Sequence, residues 1–197
     1  MLKNPNDRRA KRTATQIKET MFSFMEDKAI HEINVSDICK TCQINRATFY
    51  DHYRDVFDLV QDMENDALLA MQELMETVSP EGTAPEEVSR LFFGFLADNK
   101  RKMHLLLTSE RSREFCVRLD NTLMPFFEKK ICQSYEIPEG KEQELRSAME
   151  FVSSGYYRFF MIALTESRRN IEREAALCAK LSDACLGSLF AKGGFRS

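Results

Sequence analysis

The sequence predicts an all-α protein, and three observations carry that reading. Apolar residues recur at helical spacing, as in Ile17, Met21, Phe24 and Met25, which fall at i, i+4, i+7 and i+8. No segment shows the apolar/polar alternation of a half-buried strand. Only 7 Gly and 5 Pro punctuate 197 residues, and Val and Ile together number 16, a balance that favours helix over sheet.

The elements follow in order. A first helix is expected at about 13–27, with Thr13 or Thr15 near its start. Asn34 suits an N-cap, and Asp37 three residues on suits the positive end of a second helix reaching about Thr41. Gln43-Ile44-Asn45 makes a turn, and Asn45 can cap a third short helix from Arg46 to about Tyr53. A long helix is expected at about 56–77, after the break at Arg54-Asp55. Residues 79–85, Ser-Pro-Glu-Gly-Thr-Ala-Pro, make the clearest loop. Val88, Leu91, Phe92, Phe95 and Leu96 mark another helix, followed by a short apolar piece at Met103–Leu107. A helix at about 111–133 contains Pro125, which can kink it. Ile137-Pro138-Glu139-Gly140 is a second loop, before two long helices at about 141–166 and 170–191.

Composition narrows the function classes. No apolar run approaches the ~20 residues that span a bilayer, so no membrane partner is expected. Met1–Arg12 is charged, with no apolar stretch behind it, unlike a secretory signal, so a cytoplasmic protein is expected. The six cysteines, at 39, 42, 116, 132, 178 and 185, then read as reduced thiols. Net charge is −3, but its distribution is uneven. Residues 1–20 hold six basic and two acidic side chains, whereas residues 57–197 hold 18 basic and 23 acidic. A basic end joined to an acidic body points to an anionic partner for that end.

Three short helices in the first ~55 residues, with a tight turn between the second and third, form a helix-turn-helix pattern. In that geometry the third helix presents its N-terminal residues to base edges, and Arg46, Ala47, Thr48 and Tyr50 suit that task. Phe49 and Tyr53 form the inward face, with Ile38 and Ile44 opposite.

The segment from Asn34 to Tyr53, and above all Ala47-Thr-Phe-Tyr-Asp-His-Tyr53, resembles the DNA-binding signature of TetR-family transcriptional regulators. Thr15 to Phe24 resembles that family's first helix. The close match spans about 45 residues; the remaining helices are similar in number, length and order. The resemblance implies an all-α homodimer with a helix-turn-helix domain at 1–55 and a helical effector-binding and dimerisation domain at 56–197. It implies a palindromic double-stranded operator and a small-molecule effector, with no cofactor. By position, Arg46, Ala47 and Thr48 match base-reading places, and Tyr50 and His52 match places that touch phosphates or neighbouring bases. Thr13, Thr15, Asn34, Ser36 and Asn45 match places near the DNA backbone. The sequence departs from the pattern at Gln43, where the turn usually has Gly, at Val56, where a phosphate-binding Lys is frequent, and at Asp51. Arg54 is then expected to replace the missing Lys.

Rival chemistry finds little support. Cys39-x-x-Cys42 invites a zinc or redox reading, but no second ligand pair stands at suitable spacing, so packing into the helix-turn-helix is expected and no metal. His31, His52 and His104 are scattered, and no spacing singles out a nucleophile with its base. A non-enzyme is therefore expected.

In the C-terminal part, Met63, Phe92, Phe95, Met103, Phe126, Phe127 and Tyr156 are expected to line an apolar effector cavity between the 56–77, 84–98 and 111–133 helices. The last two helices carry stripes wider than one partner needs, which predicts a four-helix dimer bundle using Met149, Val152, Gly155, Phe159, Leu181 and Cys185. The function so implied is a ligand-relieved repressor. Phe151–Leu164 also resembles the subset of the family that activates dihydroxyacetone-kinase operons, which leaves open an activator controlled by a protein partner. A helical adaptor that binds no DNA is the alternative from another class.

Overall fold

The computed structural model describes residues 8–77, 85–165 and 170–193. They form α1 (Arg8–Met25), α2 (Val35–Cys42), α3 (Arg46–Tyr50), α4 (Val56–Thr77), α5 (Pro85–Asp98), α6 (Lys100–Thr108), α7 (Ser112–Ser134), α8 (Glu142–Thr165) and α9 (Ile171–Leu189). A two-residue ribbon pairs β1 (Tyr135–Glu136) with β2 (Ala191–Lys192) in antiparallel register. The fold is all-α, as the sequence predicts. Most of the expected 79–85 loop lies outside the described residues.

The chain forms two compact units. The first comprises 1–67 with 101–115, and the second 68–100 with 116–197. The first unit thus takes in more than residues 1–55, because Leu106, Leu107 and Phe115 are buried members of it.

In the first unit, α1 packs on α2 and α2 on α3. Ile17, Met21, Ile38 and Phe49 are fully buried there, with Leu59 and Val60 of α4. Lys18 on α1 ties down α4, with Nζ 2.7 Å from Asp62 and 2.5 Å from Asp66. Burial works to lower the Lys18 pKa, but the two carboxylates outweigh it and the net direction is up. Tyr53 Oη donates to Asp62 at 3.1 Å, and burial beside these carboxylates pushes its pKa up.

A 3-10 turn at Ile30–Glu32 is held to the α6–α7 connection, where Glu110 accepts from the His31 backbone N–H at 3.0 Å and meets His31 Nδ1 at 2.7 Å. This pair raises the His31 pKa and lowers that of Glu110. The imidazolium contribution is complete below the ordinary histidine range and lost as pH rises through the raised value. The Glu110 contribution is present above the ordinary carboxylate range and lost as pH falls through the lowered value. His31→Gln is therefore expected to lower the melting temperature most at about pH 5–6 and hardly at all above about pH 8. Parallel wild-type and variant curves across that range would show that the pair does not contribute.

In the second unit, α9 packs against α5 and α8. Tyr135, Leu145, Ala148, Met149, Leu186 and Phe190 form one buried cluster there. The ribbon is fastened by Tyr135 Oη donating to Asp183 at 2.5 Å and by Lys192 Nζ 2.8 Å from the same carboxylate. Gly140 has φ of 83°, the left-handed value demanded late in the Pro138–Lys141 turn, where the Lys141 N–H donates to the Pro138 carbonyl at 3.1 Å. Pro125 lies inside α7, where it removes one backbone donor.

Candidate nucleic-acid interface and effector cavity

The geometry of the α2–α3 corner is set by two backbone positions. Gln43 ends α2 in the left-handed region, φ 53° and ψ 41°, the one non-glycine residue with positive φ among those described. The turn keeps the geometry that usually calls for glycine. A left-handed non-glycine residue costs roughly 1–2 kcal/mol, partly offset by the chain entropy that glycine would lose. Gln43→Gly is thus expected to stabilise the protein by about 0.5 kcal/mol, read from a denaturant titration; a loss would contradict that account. Asn45 then caps α3, its Oδ1 accepting from the Thr48 N–H at 2.7 Å and from the Thr48 hydroxyl at 2.9 Å.

This places Arg46, Ala47 and Tyr50 on the exposed face of α3, Tyr50 at 55% exposure with its ring edge-on to Phe49. Arg46 Nη2 donates to the Ser36 hydroxyl, so these two expected contact residues form one polar group on the surface. His52 is half-buried beside Tyr53, and Asn34 is exposed, its Nδ2 donating to the Glu32 carbonyl at 3.4 Å. Asn34 holds the N-cap position of α2 without a capping side-chain bond.

Two expectations need correction. Thr13 and Thr15 do not stand at the start of α1, because Arg8-Arg9-Ala10-Lys11-Arg12 are good helix formers and the helix begins at Arg8. Their hydroxyls donate to the Arg9 and Lys11 carbonyls, each at 3.0 Å, within the helix. Arg54 is not a free phosphate binder: its Nη2 and backbone N–H both donate to Asp58, at 3.0 and 2.9 Å. That bond raises the Arg54 pKa and lowers that of Asp58. The candidates that sequence reasoning missed are Arg8, Lys11 and Arg12, exposed in the opening turns of α1; their charge was counted, but the helix start hid their placement.

Cys39 and Cys42 are buried and knit this unit together. Cys42 Sγ lies 3.2 Å from the Thr20 hydroxyl, and Gln16 Nε2 donates to the Cys42 carbonyl at 3.1 Å. Among the described residues, no group of three or more His, Cys, Asp or Glu side chains is placed to hold a metal.

The second unit contains a cavity of about 140 Å³. Its walls come from α5, α7, α8 and α9, including Phe92, Leu96, Leu123, Phe127, Tyr156 and Leu186. Phe92, Phe127 and Tyr156 line this cavity, whereas Phe95 and Phe126 are half-buried away from it. Met63 and Met103 are buried in the core of the first unit, so α4 contributes no wall. Ser89, 2% exposed, bonds Tyr156 Oη at 2.5 Å across the lining.

The cavity also changes the reading of α8. Met149 and Val152 line it, which is why that helix has a wider apolar stripe than one partner needs. Gly155, Phe159 and Cys185 are half-buried, and Leu181 is exposed. Exposed apolar side chains include Phe151 on α8, at 72%, and Leu177, Leu181 and Leu189 on α9.

No family model and no curated protein matches the sequence. Solved structures do match the fold. A TetR transcriptional regulator from Streptococcus agalactiae 2603V aligns with 89% of this chain and 96% of its own, at 19% identity and a TM-score of 0.67. The fatty acid degradation regulator FadR from Bacillus halodurans aligns with 95% of this chain and 97% of its own, at 15% identity and a TM-score of 0.64. The dihydroxyacetone kinase operon activator DhaS aligns with 91% and 98%, at 17% identity and a TM-score of 0.62. The chain therefore has the TetR-like fold.

Proposed function

We propose that the protein is a sequence-specific, homodimeric DNA-binding regulator, a repressor that releases its operator when a small molecule fills the cavity in the second unit. The observation that carries this reading is the exposed face of α3, with Arg46, Ala47 and Tyr50 set out by the Asn45 cap beside Ser36. Arg46 is the group suited to bidentate contact with guanine, and leaving Ser36 for a base exchanges one hydrogen bond for two. Tyr50 is suited to the phosphate backbone, and Arg8, Lys11 and Arg12 add charge for it. A dimer would place its two α3 helices about 34–36 Å apart and read a palindrome.

The test begins with DNA selected for binding from a random pool. Arg46→Ala is expected to weaken binding by roughly 1–3 kcal/mol and to relax the preference at one position in each half-site. Tyr50→Phe should weaken all sequences about equally, since phosphate contacts carry no direct sequence information. If Arg46→Ala leaves both affinity and base preference unchanged, its assigned role is wrong. If the wild-type protein selects no sequence, and its binding to bulk DNA does not respond to salt, the chain is a helical adaptor.

A further inference from the structure

The hydrogen-bond polarity at the tip of α3 is set within the protein itself. Asn45 Oδ1 accepts from the Thr48 backbone N–H at 2.7 Å and lies 2.9 Å from the Thr48 hydroxyl. A backbone N–H can only donate, so the atom it meets is the amide oxygen and not the amide nitrogen. An amide oxygen carries no proton, so in the second bond the Thr48 hydroxyl is the donor. Its single proton is thereby committed, while its oxygen keeps the capacity to accept. The same two bonds occupy both lone pairs of Asn45 Oδ1.

This polarity bears on what the tip can read. Thr48 is the third residue of α3 and half-buried, and Asn45 beside it is exposed. In the major groove adenine N6 and cytosine N4 are donors, whereas purine N7, guanine O6 and thymine O4 are acceptors. To donate to a base, Thr48 must first give up its bond to Asn45, which trades one hydrogen bond for another. To accept from a base amine it gives up nothing and adds a bond. Asn45 cannot make the two-point contact with adenine N6 and N7 that an asparagine otherwise makes, because that contact needs an unoccupied Oδ1.

We infer that Thr48 reads DNA as an acceptor, from the exocyclic amine of an adenine or a cytosine, and that Asn45 is the positioning residue that imposes this polarity by holding the Thr48 proton. This rests on the reading of α3 as the helix that meets base edges.

The test is fluorescence anisotropy of the full chain with its pool-selected DNA, carrying one base analogue at a time along the half-site. Deoxynebularine for dA and 2-pyrimidinone deoxyriboside for dC each delete an amine; 7-deazapurines and 2-aminopurine delete acceptors. At one position in each half-site, deleting an amine is expected to weaken wild-type binding about five- to ten-fold. Thr48→Val keeps the methyl and the capped N–H and should remove that penalty; Thr48→Ala is the second variant should the valine not fold. A transition at the same base pair puts a carbonyl where the amine stood, and wild type should lose at least about ten-fold in affinity. Asn45→Gly, an N-cap that costs the helix little, releases the Thr48 proton and should shrink the transition penalty to about two-fold. Asn45→Asp keeps an acceptor for both bonds and should restore the penalty, although its charge weakens binding to all sequences. A transition penalty unchanged by Asn45→Gly would overturn the positioning role, since a cap alone does not distinguish bases. If the Thr48 variants cancel the penalty of deleting an acceptor, or cancel none, the acceptor role is overturned; a base preference still relaxed by Arg46→Ala then shows that the reading of α3 survives. If the wild-type chain selects no DNA, that reading fails and the inference falls with it.

Discussion

Replacing Arg111 with alanine is expected to destabilise the first compact unit by about 3–5 kcal/mol, the range for removing one partner of a buried ion pair. Glu64 has no exposed surface, and Arg111 Nε lies 3.5 Å from its Oε1 while Nη2 reaches Glu114 at 3.1 Å. Alanine removes a cation that stands beside this buried carboxylate. Arg111 is itself 23% exposed, so the lower half of that range is the better expectation. Chemical denaturation reads the effect, and Glu64→Leu combined with Arg111→Met should recover most of the loss. A change under about 1 kcal/mol for Arg111→Ala would mean that water compensates the carboxylate instead.

The second large effect concerns assembly. Gly155→Glu is expected to turn a dimer into a monomer and to lower affinity for a palindromic site by about 10²–10⁴-fold, the advantage of joining two half-site contacts. A Cβ at Gly155 meets nothing within 4 Å in its own chain, so the substitution spares the monomer's packing. It puts a charge on the apolar surface that includes Phe151, at the place where a second copy's helices would approach most closely. Sedimentation at micromolar concentration decides the matter. A variant that remains dimeric, or a wild-type chain that is already monomeric, would remove α8 and α9 as the interface.

Much of the helical order was legible in the sequence because apolar spacing marks helix interiors. The expected 56–77 segment coincides with α4, and the 111–133 segment differs from α7 by one residue at each end. Boundaries without an apolar marker were less visible: α1 begins five residues before the expected start, in a run of charged helix formers. The ribbon of β1 and β2 left no trace, since two residues per strand have no readable period and the pairing joins distant segments. At the α3 surface, the Asn45 cap and the exposed residues could be read locally. The Arg54–Asp58 and Arg46–Ser36 bonds could not, because a charge count does not say which charges are already partnered. In the second unit, apolar composition announced a cavity but not its walls, because Met149 facing inward and Met149 facing a partner produce the same stripe.

The proline within α7 has a kinetic consequence. With no N–H at Pro125, the Asn121 carbonyl lacks its helical donor, and Asn121 is exposed so that water can serve it. The cavity wall formed by Leu119, Leu123 and Phe127 therefore lies on a helix with a weak joint at Pro125, where one backbone hydrogen bond is missing. Such a joint opens more readily than a continuous helix, and amide hydrogens on either side of it should exchange faster than those in the middle of α8. A ligand's dwell time in the cavity would then be set by how often this joint opens as well as by how tightly the ligand is held.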